Sequence, residues 1–68
     1  MSADDVRFEE CSATGSTDKA LLVYIPDLGR AIWFPHSHIS GDSEVYTRGD
    51  TGALVVSRWI AEQKGIAP

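Results

Sequence analysis

The sequence predicts a mainly β protein: a small five-stranded antiparallel barrel, partly closed and SH3-like or reduced OB-like, with a short C-terminal helix. Short apolar runs alternate with turn residues, which is typical of antiparallel strands joined by tight connections. Good helix formers follow only after the last of these runs. The chain has 68 residues and a mass of 7.4 kDa, which suits one small domain with a thin core. A flat sheet that carries one helix is the alternative architecture.

The N-terminal part predicts a tail, a strand and a loop. Residues 1–5 are polar and acidic, and we expect them to be frayed ahead of a single domain over residues 6–68. Residues 6–11 alternate weakly between apolar and polar types, which predicts the first strand. The polar residues 12–18 predict a loop that turns at Gly15.

A β-hairpin is predicted over residues 20–34. Two apolar runs flank a turn in which Pro26 presets φ, Asp27 can bond its own backbone and Gly29 can adopt positive φ. Pro35 should end the second strand, because proline cannot donate to a ladder of hydrogen bonds.

The second half predicts two further strands. Residues 36–39 read as a short connector with a possible 3₁₀ turn. A short strand follows at residues 43–47, with Val45 directed inward. Two glycines in residues 48–52 predict a turn, and residues 53–56 predict the last strand.

The C-terminal residues 58–64 predict a helix of about two turns. Ser57 has the position and the hydroxyl of an N-cap, and Gly65 is placed to end the helix in a Schellman-type turn. A helix this short depends on packing, so we expect Trp59 and Ile60 to anchor it.

Charge and cysteine content exclude several classes of protein. Lys and Arg number 6 and Asp and Glu number 10, which gives a formal charge of −4 and a pI near 4.8. Such a domain is repelled by a phosphate backbone unless its few cations share one face. No apolar run approaches the ~20 residues that cross a bilayer, and the N-terminus lacks a signal peptide's basic and apolar regions. The single Cys11 excludes an internal disulfide. We therefore expect a cytoplasmic protein with no membrane partner.

The apolar runs indicate an interface. Residues 20–25, 31–34 and 53–56 are apolar at both alternating positions, whereas one face of an antiparallel sheet is normally polar. Part of these runs should then stay exposed and mark a protein partner or a homodimer contact. In the alternative, residues 12–18 and the helix cover them. The side chains expected to be exposed come from this group: Leu21, Val23, Ile25, Ile32, Phe34 and Leu54.

The sequence offers little support for a metal site, a catalytic nucleophile or a ligand pocket. His36 and His38 could share a metal in an extended segment, but no established zinc spacing accompanies them. The further ligands that the sequence offers are Asp42, Glu44 and Cys11. The two glutamates before Cys11 should raise the pKa of its thiol and suppress the thiolate. A chain this short rarely encloses a ligand pocket of ~300 Å³. We expect no metal, no cofactor and no enzymatic activity.

Aromatic and basic side chains are the best candidates for partner contact, since Trp, Tyr and Arg dominate the energetics of interfaces. Arg30 near Trp33 is also the best local combination for stacking and neutralising a single-stranded nucleic acid. The complete candidate set is Tyr24, Arg30, Trp33 and Tyr46, with His36 and His38 at the rim.

Three stretches carry a resemblance. Residues 33–39, 42–46 and 56–66 resemble short uncharacterised proteins of phages and bacterial mobile elements, in which the first stretch looks like W-I-P-K-S-Q-I and the last like W-L-A-E-K-K-G-L. His36 and His38 replace the lysine and the glutamine, so any role of that lysine is absent here. The resemblance implies a phage or mobile-element origin and a bacterial host, and it implies no activity.

The combined reading is a non-catalytic protein-binding module. It would act as a stoichiometric inhibitor or modulator of a host defence or replication protein, because a short chain can occupy a site without enclosing a pocket. One alternative is a single-stranded nucleic-acid accessory module of a phage recombination or replication cassette. Another is an oligomeric small-ligand sponge with its site between protomers.

Overall fold

The computed structural model describes residues 5–67, which form one antiparallel sheet, a 3₁₀ turn and one helix. The sheet has four strands in the order β3-β2-β1-β4 and is not closed. The strands are β1 (Asp5–Ser16), β2 (Ala20–Ile25), β3 (Arg30–Pro35) and β4 (Thr51–Ser57), followed by helix α1 (Arg58–Gln63), and the 3₁₀ turn spans His36–His38.

The mainly β class with a short C-terminal helix is confirmed, whereas five strands and a partly closed barrel are wrong. The sheet keeps two separate edges, so it lies nearer to the alternative of an open sheet with one helix. Of the tail expected to fray, residues 1–4 lie outside the described residues. Asp5 opens β1 and pairs with Ser57.

Strand β1 unites the predicted first strand with the predicted polar loop, so the loop at residues 12–18 is wrong over most of its length. The first part of β1 pairs with β4 and the last part pairs with β2. Pairing with these two neighbours satisfies the backbone of a polar stretch that has little strand propensity of its own.

A bulge in β1 explains why its alternation looked weak. Phe8 pairs with Leu54 and Cys11 pairs with Gly52, so β1 advances three residues while β4 advances two. The extra residue lies where Glu10 adopts φ 58°. The bulge resets the alternation, and Phe8 and Cys11 both face the core.

The β2–β3 hairpin is confirmed. Its ladder runs in register from Ala20 opposite Pro35 to Ile25 opposite Arg30. In the turn, Gly29 adopts φ 68° and its N–H donates to the Ile25 carbonyl at 2.9 Å.

Residues 39–45, which we call the cover segment, lie along the outer edge of β4. Ile39 forms an isolated bridge with Val56. The strand predicted at residues 43–47 is wrong, because this stretch meets β4 through side chains as well as through backbone. Val45 nevertheless points inward as predicted and is fully buried.

The hydrogen bonds of the cover segment replace a fifth strand. The N–H of Ser40 donates to the Val55 carbonyl at 2.8 Å, and the N–H of Val55 donates to Ser43 Oγ at 3.1 Å. The N–H of Glu44 donates to the Ala53 carbonyl at 2.9 Å. The N–H of Ala53 donates to Glu44 Oε1, also at 2.9 Å. Side-chain oxygens thus supply the acceptors that a neighbouring strand would supply.

Helix α1 begins and ends as its sequence predicts, to within one residue. Ser57 Oγ accepts the N–H of Ile60 at 3.2 Å, which confirms the N-cap. Gly65 adopts φ 71°, and the N–H of Ile66 donates to the Ala61 carbonyl at 2.9 Å. This is the expected Schellman end.

The core lies on one face of the sheet. Inner side chains of all four strands pack there with side chains of the cover segment, α1 and the C-terminal residues. The core residues from outside the strands are Ile39, Val45, Ile60, Ala61 and Ile66.

Candidate binding surface

Buried and exposed side chains alternate along the hairpin, and the apolar side chains that we expected to be exposed are the buried ones. None of the six apolar side chains expected at the surface is more than 7% exposed. They belong to the inner face of the sheet, where the core covers them: Leu21, Val23, Ile25, Ile32, Phe34 and Leu54.

One exposed apolar patch lies on the hairpin, at the positions of β2 and β3 that alternate with these buried ones. Tyr24 is 40% exposed and Trp33 is 43% exposed. Leu22 is half-buried and pairs directly with Trp33, while Tyr24 pairs with Ala31. These four residues share one face of the sheet, because side chains of paired residues project to the same side. We call Leu22, Tyr24, Ala31 and Trp33 the outer aromatic face.

The Trp33 indole leans across the sheet toward β1. A Cβ at Gly15 would lie 3.6 Å from the Leu22 side chain and 3.9 Å from Cη2 of Trp33. Gly15 pairs with Leu22, which pairs with Trp33, so the indole reaches over Leu22 to the third strand. Gly15 has no side chain, which leaves room for the indole above it. Because the indole is directed toward β1, it does not cover the outer edge of β3.

Arg30 and Trp33 do not form one site. They stand three residues apart on the same strand, so their side chains project to opposite faces of the sheet. Arg30 is exposed at the end of the hairpin. The combination of cation and aromatic platform that favoured nucleic acid is therefore not assembled on the outer aromatic face.

The remaining predicted contact residues lie in two further places. His36 and Tyr46 have ring centroids 6.1 Å apart, with their planes inclined by 33°. His38 stacks on Trp59 at 4.9 Å and 27°. Nδ1 of His38 also lies 3.0 Å from Ser57 Oγ. The two histidines therefore have separate partners and do not converge on one point.

Trp59 is the exposed aromatic residue that sequence reasoning assigned to the core. Its side chain is 55% exposed, whereas Ile60 and Ala61 are buried. Successive helical residues are about 100° apart, so in a short helix with Ile60 and Ala61 on the core side Trp59 falls outside it. The order of Trp59, Ile60 and Ala61 in the sequence therefore already indicated that Trp59 lies outside the core.

A shallow cleft opens beside the His38–Trp59 stack. Its volume is about 170 Å³, below the range of ligand pockets. Ser57 Oγ in its wall already accepts the N–H of Ile60 as the cap of α1, so this hydroxyl has a structural role. The cleft is lined by Asp5, Ser37, His38, Ile39, Ser40 and Ser57.

Cys11 is held as a neutral thiol. Its side chain is fully buried, and burial raises the pKa of the thiol to about 11, with Asp27 and Glu9 adding to the effect. The expected rise is therefore present, and its main cause is desolvation rather than neighbouring glutamates. Across residues 5–67, no three His, Cys, Asp or Glu side chains are grouped closely enough to hold a metal ion.

No protein-family model matches the chain, and neither a curated protein nor a solved structure matches it significantly. The resemblance to phage and mobile-element proteins stays a prediction. None of the helices in the described part of the chain has the length and apolar character that a membrane crossing needs.

Proposed function

We propose that this chain is a non-catalytic protein-binding module whose contact surface is the outer aromatic face. One observation supports the proposal above the others: Tyr24 and Trp33 stand exposed together, beside Leu22, on one face of an antiparallel sheet. Aromatic side chains lose little conformational freedom on binding and bring large apolar area into an interface.

The scaffold beneath this face is closely packed. Fully buried Leu21, Val23 and Phe34 alternate with the exposed residues and hold both strands against the core. A surface that is preorganised in this way spends less of its interaction free energy on ordering side chains when a partner binds.

The partner that fits is a protein with an apolar patch inside a basic surface. The chain carries a net charge of −4, which steers it toward positive potential. Proteins that handle nucleic acid have basic surfaces of this kind. A host defence or replication protein is therefore the proposed target, and the chain would inhibit or modulate it stoichiometrically by occupying a site. A phage or mobile-element origin rests on the sequence resemblance.

Site-specific photocrosslinking in bacterial cells tests the proposal. A photoreactive phenylalanine analogue replaces Tyr24 in one variant and Trp59 in a matched control, since both positions are exposed aromatics. We expect the variant at Tyr24 to crosslink one defined host protein, identified by mass spectrometry, and the variant at Trp59 to leave that protein unlinked. Equal crosslinking from both positions, or no heterologous product, contradicts the proposal.

Titration of the identified protein completes the test. We expect a complex of one-to-one stoichiometry that Trp33→Ser weakens by about 10-fold or more, as for an interface hot spot. Trp59→Ser should change the affinity by less than about 3-fold. A loss of affinity that is equal for the two variants would show that the face is not the contact surface.

A further inference from the structure

Strand β3 ends the sheet and carries unpaired backbone groups. The N–H of His36 donates to the Lys19 carbonyl at 2.9 Å, which marks these two residues as a hydrogen-bonded pair. Hydrogen-bonded and non-hydrogen-bonded pairs alternate along an antiparallel ladder, so Ile32 and Phe34 bond to β2, whereas Ala31 and Trp33 belong to non-hydrogen-bonded pairs. Ala31 and Trp33 therefore direct their N–H and C=O groups away from β2. Within residues 5–67, no group outside the ladder hydrogen-bonds to the backbone of either residue.

This free edge has a defined length. At one end Pro35 has no N–H to donate. At the other end the N–H of Gly29 already donates to the Ile25 carbonyl. Between these limits, Ala31 and Trp33 are the residues that offer both a donor and an acceptor, so an added strand can form two complete hydrogen-bonded rows.

We propose that a second copy of this chain occupies the edge, pairing β3 antiparallel with β3 about a twofold axis between the two Ile32 residues. Ala31 then pairs with the second copy's Trp33, and Trp33 pairs with the second copy's Ala31. Every free N–H and C=O of these residues finds a partner in both copies. Two four-stranded sheets become one eight-stranded sheet. The inference concerns the strand edge and is independent of the heterologous partner proposed for the face.

Pro35 selects this register over its neighbour. A twofold axis through Trp33 would pair Ala31 with the second copy's Pro35, which has no N–H for the Ala31 carbonyl. It would also place Arg30 opposite the second copy's His36, so that two basic side chains face each other. The register centred on Ile32 places Arg30 opposite Phe34 and avoids both costs.

Side-chain sizes on the outer aromatic face are complementary in the same register. Trp33 stands across from the second copy's small Ala31, whose neighbour on β2 is Tyr24. Because the indole leans toward Gly15, it leaves the approach to the edge open. The edge thus matches a copy of itself in length, hydrogen-bonding groups and side-chain size, which favours self-pairing over an arbitrary peptide.

Light scattering after size exclusion, combined with amide hydrogen exchange on the full chain, tests this inference. As concentration rises about 100-fold, we expect the mass to shift from one chain to two. Exchange of the Ala31 and Trp33 amides should slow along with dimer formation. The Ile32 and Phe34 amides bond within the chain and serve as internal controls, protected at every concentration.

Two substitutions at one position sharpen the test. Ala31→Pro removes an edge donor and no bond to β2, so we expect a folded chain whose dimerisation is at least about 10-fold weaker. Ala31→Ser keeps the N–H and should still dimerise. In an isotope-mixed dimer, a nuclear Overhauser effect between the Ala31 methyl group and the second copy's Trp33 indole identifies the register.

Three results would overturn the inference. They are a single-chain mass at all concentrations with rapidly exchanging Ala31 and Trp33 amides, a dimer that Ala31→Pro leaves intact, or an Hα–Hα contact between Ile32 and the second copy's Phe34 in the mixed dimer, which only the register centred on Trp33 brings together. Each leaves the proposed function standing, because the heterologous crosslink from Tyr24 is measured separately and differs in mass from a dimer of this chain.

Discussion

The two edges of the sheet meet the same physical problem in different ways. The β4 edge is closed by the cover segment, in which Ser43 Oγ and Glu44 Oε1 accept backbone N–H groups of β4. The β3 edge is open and is limited by its short length and by Pro35. An unpaired edge can pair with another chain, and for this reason the association that we propose is placed at the β3 edge and not at the β4 edge.

The strands at the two edges, β4 and β3, also differ in the exposure of their apolar side chains. Ala53 and Val55 in β4 are both buried, although they lie outside the main core cluster. Residues at the corresponding outer positions of β3, Ala31 and Trp33, remain exposed. Strands of similar apolar composition therefore differ in exposure, because the cover segment lies beside one of them only.

The largest expected effect is on the closed edge at Gly52. This residue adopts φ 129°, and an added Cβ would lie 2.8 Å from Glu44 Oε1 and 3.2 Å from Glu44 Cβ. Gly52→Ala should lower the free energy of unfolding by about 2–3 kcal/mol through backbone strain and displacement of Glu44. Urea unfolding measures the change. Gly41→Ala, at an exposed position with nothing close to the added methyl group, is the control and should stay within about 0.5 kcal/mol.

A smaller effect is expected at Ser43. Ser43→Ala leaves the N–H of Val55 without its acceptor, which should cost about 1–2 kcal/mol of unfolding free energy. Glu44→Gln keeps an acceptor oxygen for Ala53 and should be nearly neutral. Ser37→Ala, at an exposed hydroxyl, is the matched control. If Ser43→Ala and Ser37→Ala were equally stable in urea, side-chain closure of this edge would be refuted.

The smallest expected effect is the pH dependence of the turn that leads into β4. Backbone N–H groups of Thr47 and Tyr46, together with the Thr47 hydroxyl, lower the pKa of Asp50. A lowered folded-state pKa adds stability above the unfolded pKa, and this stability is lost as pH falls through the folded pKa. Unfolding free energies of the native chain and Asp50→Asn should therefore differ slightly at neutral pH and converge in acid. A difference that is constant with pH would contradict this assignment.

Local chemistry accounts for the parts of the fold that sequence predicted well. The hairpin turn uses Gly29 at positive φ, three residues after Pro26, and the ends of α1 use Ser57 and Gly65. Each of these requirements involves residues close together in the chain, so no knowledge of distant partners is needed.

The errors lie where a distant partner decided the outcome. Residues 12–16 became strand because β2 and β4 pair with them, despite their loop-like composition. Residues 43–47 did not become strand, because side chains of Ser43 and Glu44 satisfied β4 instead. Strand formation depends on the neighbour more than on intrinsic preference.

Composition and local sequence patterns were enough to predict a small, acidic, mainly β chain with its hairpin and its helix caps, and they named Tyr24 and Trp33 as candidate contacts. The contacts of the folded chain were needed to establish that the sheet stays open and which alternating set of hairpin side chains faces water. The runs at residues 20–25 and 31–34 are apolar at both odd and even positions, so the alternation of side chains along a strand cannot show which face is buried. The bulges of β1 and the path of the cover segment make that selection, and both depend on contacts between residues far apart in sequence.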